Sequence, residues 1–229
     1  MASNLISELT THFNVRHLYP STAWLQSFTA TVRPNTPLPA LKQTALFRLL
    51  ATDITTSLSQ PANTVFPRDI LNGNSQSRFV AGPLVCQVLD IEDIGDSKWA
   101  QVESIEAKER GETKKGREVI RVVPGDENAT VPPISESAGP FKLLLQDSKG
   151  LKVYALDLNG VRGLNVTMSM GTKLLLRDCD VRRGVIMLEP GHVQILGGKI
   201  EALDKVWRER RKERLVAAAN AGREGDAGH

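Results

Sequence analysis

The apolar residues change period once along the chain, and that change constrains the fold more than any single motif. Through the first third they recur at helical spacing. Leu5, Leu9 and Phe13 fall at i, i+4 and i+8. Trp24, Leu25, Phe28 and Val32 share one face, and Ala45, Leu46, Leu49, Leu50 and Ile54 share another. Pro34, Pro37 and Pro39 break the chain between these last two stripes. A short amphipathic helix cannot bury its stripe alone, so three of them predict a small bundle.

Beyond Pro61, Pro67 and Pro83 the period becomes that of strands. "LVCQVLDIEDI" (84–94) starts apolar and ends polar. "FKLLLQD" (141–147) sets Phe141, Leu143 and Leu145 against Lys142 and Gln146. Ser148-Lys149-Gly150 reads as a hairpin turn into "LKVYALDL" (151–158), where Tyr154, Leu156 and Leu158 are expected to face the core. "TKLLLRD" (172–178) places Leu174 and Leu176 inward and Lys173, Leu175 and Arg177 outward. "GVIML" and "HVQIL" read as two halves of a last strand, bent at Pro190-Gly191 and released by Gly197-Gly198 into a helix.

Five short strands within about 110 residues predict a closed barrel, because closure removes exposed edges. Residues 159–171 fall where an OB-fold carries its helix or cap. The expected class is therefore α+β, in three parts. Residues 1–62 form a three-helix bundle. Residues 63–198 form a five-stranded OB-fold barrel with an insertion between its first two strands. Residues 199–229 form a basic helix and frayed tail, with Leu203, Val206 and Trp207 packing back on the barrel.

The insertion, 99–138, is far longer than an ordinary connection. It carries six Lys/Arg and eight Asp/Glu, so no net basic charge marks it as a nucleic-acid arm. It also carries Val119-Ile120 and Val122-Val123, apolar pairs that a spacer does not need. They read either as an interface or as a short extra hairpin on the barrel. Trp99 at its base anchors the loop or closes the barrel. Net charge is only +3, so contact with nucleic acid requires a local patch. Lys114, Lys115 and Arg117 in the insertion, and Arg182-Arg183 in a turn, are the candidates for weak DNA binding, against a reading as solvated surface. Between Lys205 and Arg214 stand six basic and two acidic residues, a further weak DNA contact, a solvated face or a nuclear-targeting signal. Cys86 and Cys179 each lie in an apolar run and read as buried thiols in a reducing compartment.

The ordered set Asp93-Ile94-Gly95, Leu145-Gln146-Asp147, Gly171-Thr172-Lys173, Arg183-Gly184, Glu189-Pro190 and Gly197-Gly198 resembles the RecQ-mediated genome instability protein family. The resemblance is strongest over 84–98 and 140–204 and extends more loosely to the helical N-terminus. It implies a non-catalytic subunit of a complex between a type IA topoisomerase III and a RecQ helicase, acting in the nucleus. The barrel would dock on the topoisomerase, and the insertion would reach its gate and promote double Holliday junction dissolution. The end at residue 229 is expected of the short fungal-type form, or of a longer member cut short.

On that reading the topoisomerase contacts are Lys173, Trp99, Val119, Ile120, Val122 and Val123. Catalysis is not expected, because the histidines show no metal-ligand spacing with cysteines or carboxylates and no nucleotide or hydrolase motif is present. No cofactor is expected. The alternative is an autonomous single-stranded-DNA-binding OB-fold protein, which the 5% aromatic content disfavours because such folds hold bases by stacking.

Overall fold

A computed structural model describes residues 2–33, 35–115, 118–121 and 139–226, with side chains described within 4–33, 35–111 and 139–221. Helices α1 (Ala2–Asn14), α2 (Thr22–Ala30), α3 (Leu38–Ala51) and the single turn α4 (Ile54–Ser57) form the N-terminal bundle. Ser21 caps α2 by accepting from the Trp24 amide at 3.2 Å. Pro37 precedes α3, whose first turn tolerates Pro39 because the amide there has no helical partner. Leu9, Phe13, Leu25, Phe28, Leu41, Ala45, Leu49 and Ile54 close the core, as the helical spacing predicts. Two further members, Val85 and Leu175, come from the barrel, so the bundle is completed only by docking on it.

The barrel contains β1 (Arg78–Val80), β2 (Leu84–Asp93), β5 (Phe141–Gln146), β6 (Lys152–Asp157), β7 (Lys173–Leu176), β8 (Cys179–Arg182), β9 (Val185–Leu188) and β10 (Val193–Gly197). Between β2 and β5 lie helix α5 (Lys98–Glu109) and a separate hairpin of β3 (Glu112–Lys115) and β4 (Glu118–Arg121). Helix α6 (Glu201–Asp226) ends the described chain. The strand order is β1-β8-β9-β6-β5-β2-β7-β10. All pairings are antiparallel except β6 with β9. β9 and β10 are the expected two halves of one bent strand, and β7 and β8 are likewise halves of one, kinked at Asp178 (φ 52°). Because β9 pairs with β6 while β10 pairs with β7, the sheet closes on itself as an OB-fold. The three-residue β1, which the sequence reading lacks, extends the free edge of β8.

Phe141, Leu143 and Leu145 fill the barrel, as the alternation predicts. Residues 159–171 form a turn-rich cap rather than a helix, inserting Val161, Leu164, Met168 and Met170 into the barrel core. The Asp157 carboxylate starts that cap by accepting from the amides of Gly160 and Val161, each at 3.0 Å.

Three expectations are corrected. Tyr154 and Leu158 are 51% and 54% exposed, and Val153 and Ala155 point inward instead. Val206 is exposed, while Leu203 and Trp207 do pack on the barrel. The segment 99–138 is not a loop throughout, since residues 99–109 belong to helix α5.

Candidate functional site

Lys173 is not on the exposed surface where a partner contact is expected. Its side chain is 1% exposed, and Nζ donates to the carbonyls of Thr52 at 2.7 Å and Gly171 at 2.9 Å. The strand alternation correctly turns Lys173 away from the barrel interior, but the bundle covers that outer face. Every position of β7 is consequently buried. Burial pushes the Lys173 ammonium down to about 8, against the opposing attraction of Asp53. Burial also pushes Asp53 upward, but hydrogen bonds from Thr55 and Gln87, with the charge of Lys173, hold its carboxyl below the usual range. Gln87 completes the seam, donating to Asp53 at 3.2 Å and accepting from the Ile54 amide at 3.1 Å.

The insertion leaves the barrel through a rigid elbow. The Asp93 carboxylate, 1% exposed as a residue, accepts from the amides of Gly95 and Asp96 at the end of β2. Ser97 then caps α5 by accepting from the Ala100 amide at 3.1 Å. Gln101 donates to the carbonyls of Asp93 and Asp96, each at 3.0 Å, tying the first turn of α5 back to the elbow. Glu92 bridges Lys98 at 2.5 Å and Lys142 at 2.6 Å across the same corner. Trp99 stands on α5 at 37% exposure.

Beyond Gly111 the β3–β4 register sets Lys114 opposite Val119 and Thr113 opposite Ile120. Lys114, Lys115, Val119 and Ile120 are thus brought together in one hairpin, separate from the barrel sheet. Arg117, Val122 and Val123 lie outside the described residues. Arg182 and Arg183 are both exposed at the β8–β9 turn, where Arg183 takes a left-handed φ of 49°. They belong to a different part of the molecule from the insertion.

The basic helix is largely engaged within the chain. Arg208 binds Asp204 at 2.8 Å, Lys212 reaches Glu109 at 2.8 Å and Glu106 at 3.2 Å, and Arg214 reaches Asp90 at 3.0 Å. Trp207 donates its indole N–H to the other oxygen of Asp90 at 2.5 Å. The guanidinium groups of Arg211 and Arg214 each sit 5.5 Å from the Trp207 ring centre. Sequence reading sees mainly a run of cations, because the carboxylates that meet Lys212 and Arg214 come from α5 and β2.

The outer face of β5 and β6 holds a feature that the sequence reading missed. Lys142 lies 5.5 Å from the centre of the exposed Tyr154 ring, beside exposed Leu158 and Lys152. Among the described residues, no group of His, Cys, Asp and Glu is arranged to hold a metal ion. Among them also, no helix is long and apolar enough to cross a membrane.

Two family models match this chain. RMI1, N-terminal helical domain, matches residues 13–57, and RMI1, N-terminal OB-fold domain, matches residues 66–211. RecQ-mediated genome instability protein 1 of Schizosaccharomyces pombe is 29% identical over 224 residues, covering 91% of this chain and 94% of the relative. The protein of that name from Mus musculus is 22% identical over 204 residues, covering 88% of this chain but 31% of its own length. The Xenopus laevis relative is 40% identical over 63 residues, covering 27% of this chain and 11% of its own length. The chain thus spans nearly all of the fission-yeast relative and about a third or less of the other two. With both domain models matching in order on a bundle and barrel that share a core, the chain belongs to the RecQ-mediated genome instability protein 1 family.

Proposed function

We propose that the chain is a non-catalytic subunit in a RecQ-associated genome-stability pathway, acting in the nucleus. Its direct partner is a type IA topoisomerase III that works with a RecQ-family helicase. The barrel docks on the topoisomerase, and the insertion hairpin shifts the balance between open and closed states of its gate. The output is decatenation and the dissolution of double Holliday junctions. A hairpin changes such a balance only by contacting one gate state better than the other.

The observation that carries this reading is the construction of the insertion. A floppy loop would lose much of its binding energy to ordering. Here the elbow at Asp93, the capped helix α5 and a two-stranded hairpin make the described part of the insertion a built arm. The family membership supports the RecQ association, which the name of the relatives carries.

The test is deletion of residues 112–138, joining Gly111 to Gly139 through a short linker so that α5 stays. Co-purification with a topoisomerase III is expected to survive, and stimulation of decatenation is expected to fall. Unchanged decatenation removes the gate role.

A second reading, direct single-stranded DNA binding, is favoured by one observation. Tyr154, Lys142 and Lys152 lie on the outer β5–β6 face, the surface on which OB-folds hold single strands. It predicts that a dT oligonucleotide binds the isolated chain at low salt and that Tyr154→Ala weakens this severalfold. No binding at low salt eliminates it.

A further inference from the structure

The barrel core takes only the start of α6. Leu203 and Trp207 pack on the barrel core, yet the helix continues to Asp226. Trp207, Arg211, Leu215 and Ala219 recur every four residues and so share one face. Leu215 and Ala219 are buried at 7% and 9% exposure, far beyond the turn where Trp207 meets the barrel. This second half runs past Asp90 of β2 and along α5, whose Gln101, Val102 and Ala107 are buried.

Cross-helix ion pairs fix the alignment. Lys212 lies between Glu106 and Glu109, at 3.2 Å and 2.8 Å. Arg214 ties the same stretch to Asp90 at the root of the elbow, at 3.0 Å. Pairs this exposed are individually weak in water, so the apolar stripe supplies the hold and the charges set the register. The helix α5 has 12 residues, a length at which an isolated helix in water is marginal. It therefore depends on α6 for its persistence as well as its direction. Only Arg110 and Gly111 separate the end of α5 from β3, so movement of α5 carries the hairpin with it.

We infer that residues 211–219 of α6 are the positioning element of the insertion. Leu215 and Ala219 clamp α5, Lys212 and Arg214 set its register, and the hairpin leaves the barrel in one direction. Docking of the barrel on its partner does not need this half of the helix, but the action of the hairpin does. The functional half of this inference rests on the gate reading above; the structural half does not.

The experiment uses the full chain with Leu215→Glu, beside a charge reversal, Lys212→Glu, and its rescue by Glu106→Lys with Glu109→Lys. Hydrogen exchange is read on the chain alone, and co-purification and decatenation with topoisomerase III. Leu215→Glu is expected to speed exchange of α5 amides at least tenfold while β5 and β6 stay protected. Co-purification is expected to persist and stimulation to fall to the level of the 112–138 deletion. Lys212→Glu is expected to move both readouts the same way by a smaller factor, and the swap to restore them. Unchanged α5 exchange in both variants overturns the clamp, whatever the topoisomerase assay reads. Loosened α5 with full stimulation, where the 112–138 deletion does reduce it, overturns the positioning role. If that deletion is itself silent, the gate reading and the functional half fall together, and α5 exchange still decides the clamp.

Discussion

Lys173 Nζ donates to the carbonyl of Thr52 at 2.7 Å, across 121 residues of sequence. This bond joins the second half of the barrel to the C-terminal end of α3 in the bundle. Thr52 is the C-cap of α3, where carbonyls lack helical partners, so an ammonium is a fitting donor. The contact also explains why a lysine can occupy the middle of a seam otherwise closed by Leu175, Val85 and Leu50.

Replacing Lys173 tests that role. Lys173→Ala removes a buried stem and leaves two carbonyls without their donor, and is expected to cost about 2–4 kcal/mol. Lys173→Met keeps the volume and is expected to cost less. Urea denaturation measures both. Any loss of the proposed topoisomerase binding is expected to track the fraction unfolded, because the side chain is not at the surface.

The same lysine gives a pH signature. Its folded pKa, about 8, lies below the ordinary lysine value of 10.5. Below pH 8 both states hold the proton and the burial penalty is fully present. Between about 8 and 10.5 the folded state releases it while the unfolded chain keeps it, so stability rises with pH across that window. Denaturation midpoints at pH 7.5 and 9.5 are expected to rise relative to those of Lys173→Met. A parallel pH dependence in the two proteins contradicts the assignment.

The double glycine separates strain from contact. Gly197 and Gly198 have φ of 87° and 98°, a region that L-residues avoid. A Cβ on Gly197 meets nothing within 4 Å, whereas one on Gly198 falls 2.4 Å from the Leu50 carbonyl oxygen. Gly197→Ala is expected to cost about 1–2 kcal/mol, the conformational share alone. Gly198→Ala adds a backbone clash at the seam between bundle and barrel, and is expected to cost roughly 3 kcal/mol or more. Thermal melts of the two variants give the comparison, and equal shifts contradict the close approach.

The cysteines are predicted to be inert. Cys86 and Cys179 are free and buried. Burial pushes the Cys179 thiol up to about 11 and raises Cys86 further, so little thiolate forms near neutrality. A thiol reagent at pH 8 is expected to label neither in the native protein and both in denaturant. Rapid native labelling contradicts their placement in the core.

Much of the fold is legible in one dimension. The stripe Leu9–Phe13, the alternation Phe141–Leu143–Leu145 and the bend at Pro190-Gly191 follow from local period and turn chemistry, which need no distant partner. The strand "LKVYALDL" shows where this stops. It is apolar on both faces, so period alone cannot choose between Tyr154-Leu156-Leu158 and Val153-Ala155-Asp157. Pairing decides: Leu145 and Leu143 face Val153 and Ala155, and buried Asp157 is satisfied by amides of the cap. Lys173 follows the same logic at a higher level. Alternation determined that it points away from the barrel interior, and only the docked bundle decided that this outside is buried. The run Lys205–Arg214 is likewise cationic in sequence, but the fold brings Glu106, Glu109 and Asp90 to it from about a hundred residues away. Sequence determined the elements that carry a single apolar face, because that pattern depends on neighbours three, four or two residues apart. Tertiary structure decided which charges and aromatics are left for a partner, because burial depends on what the rest of the chain places on top of them.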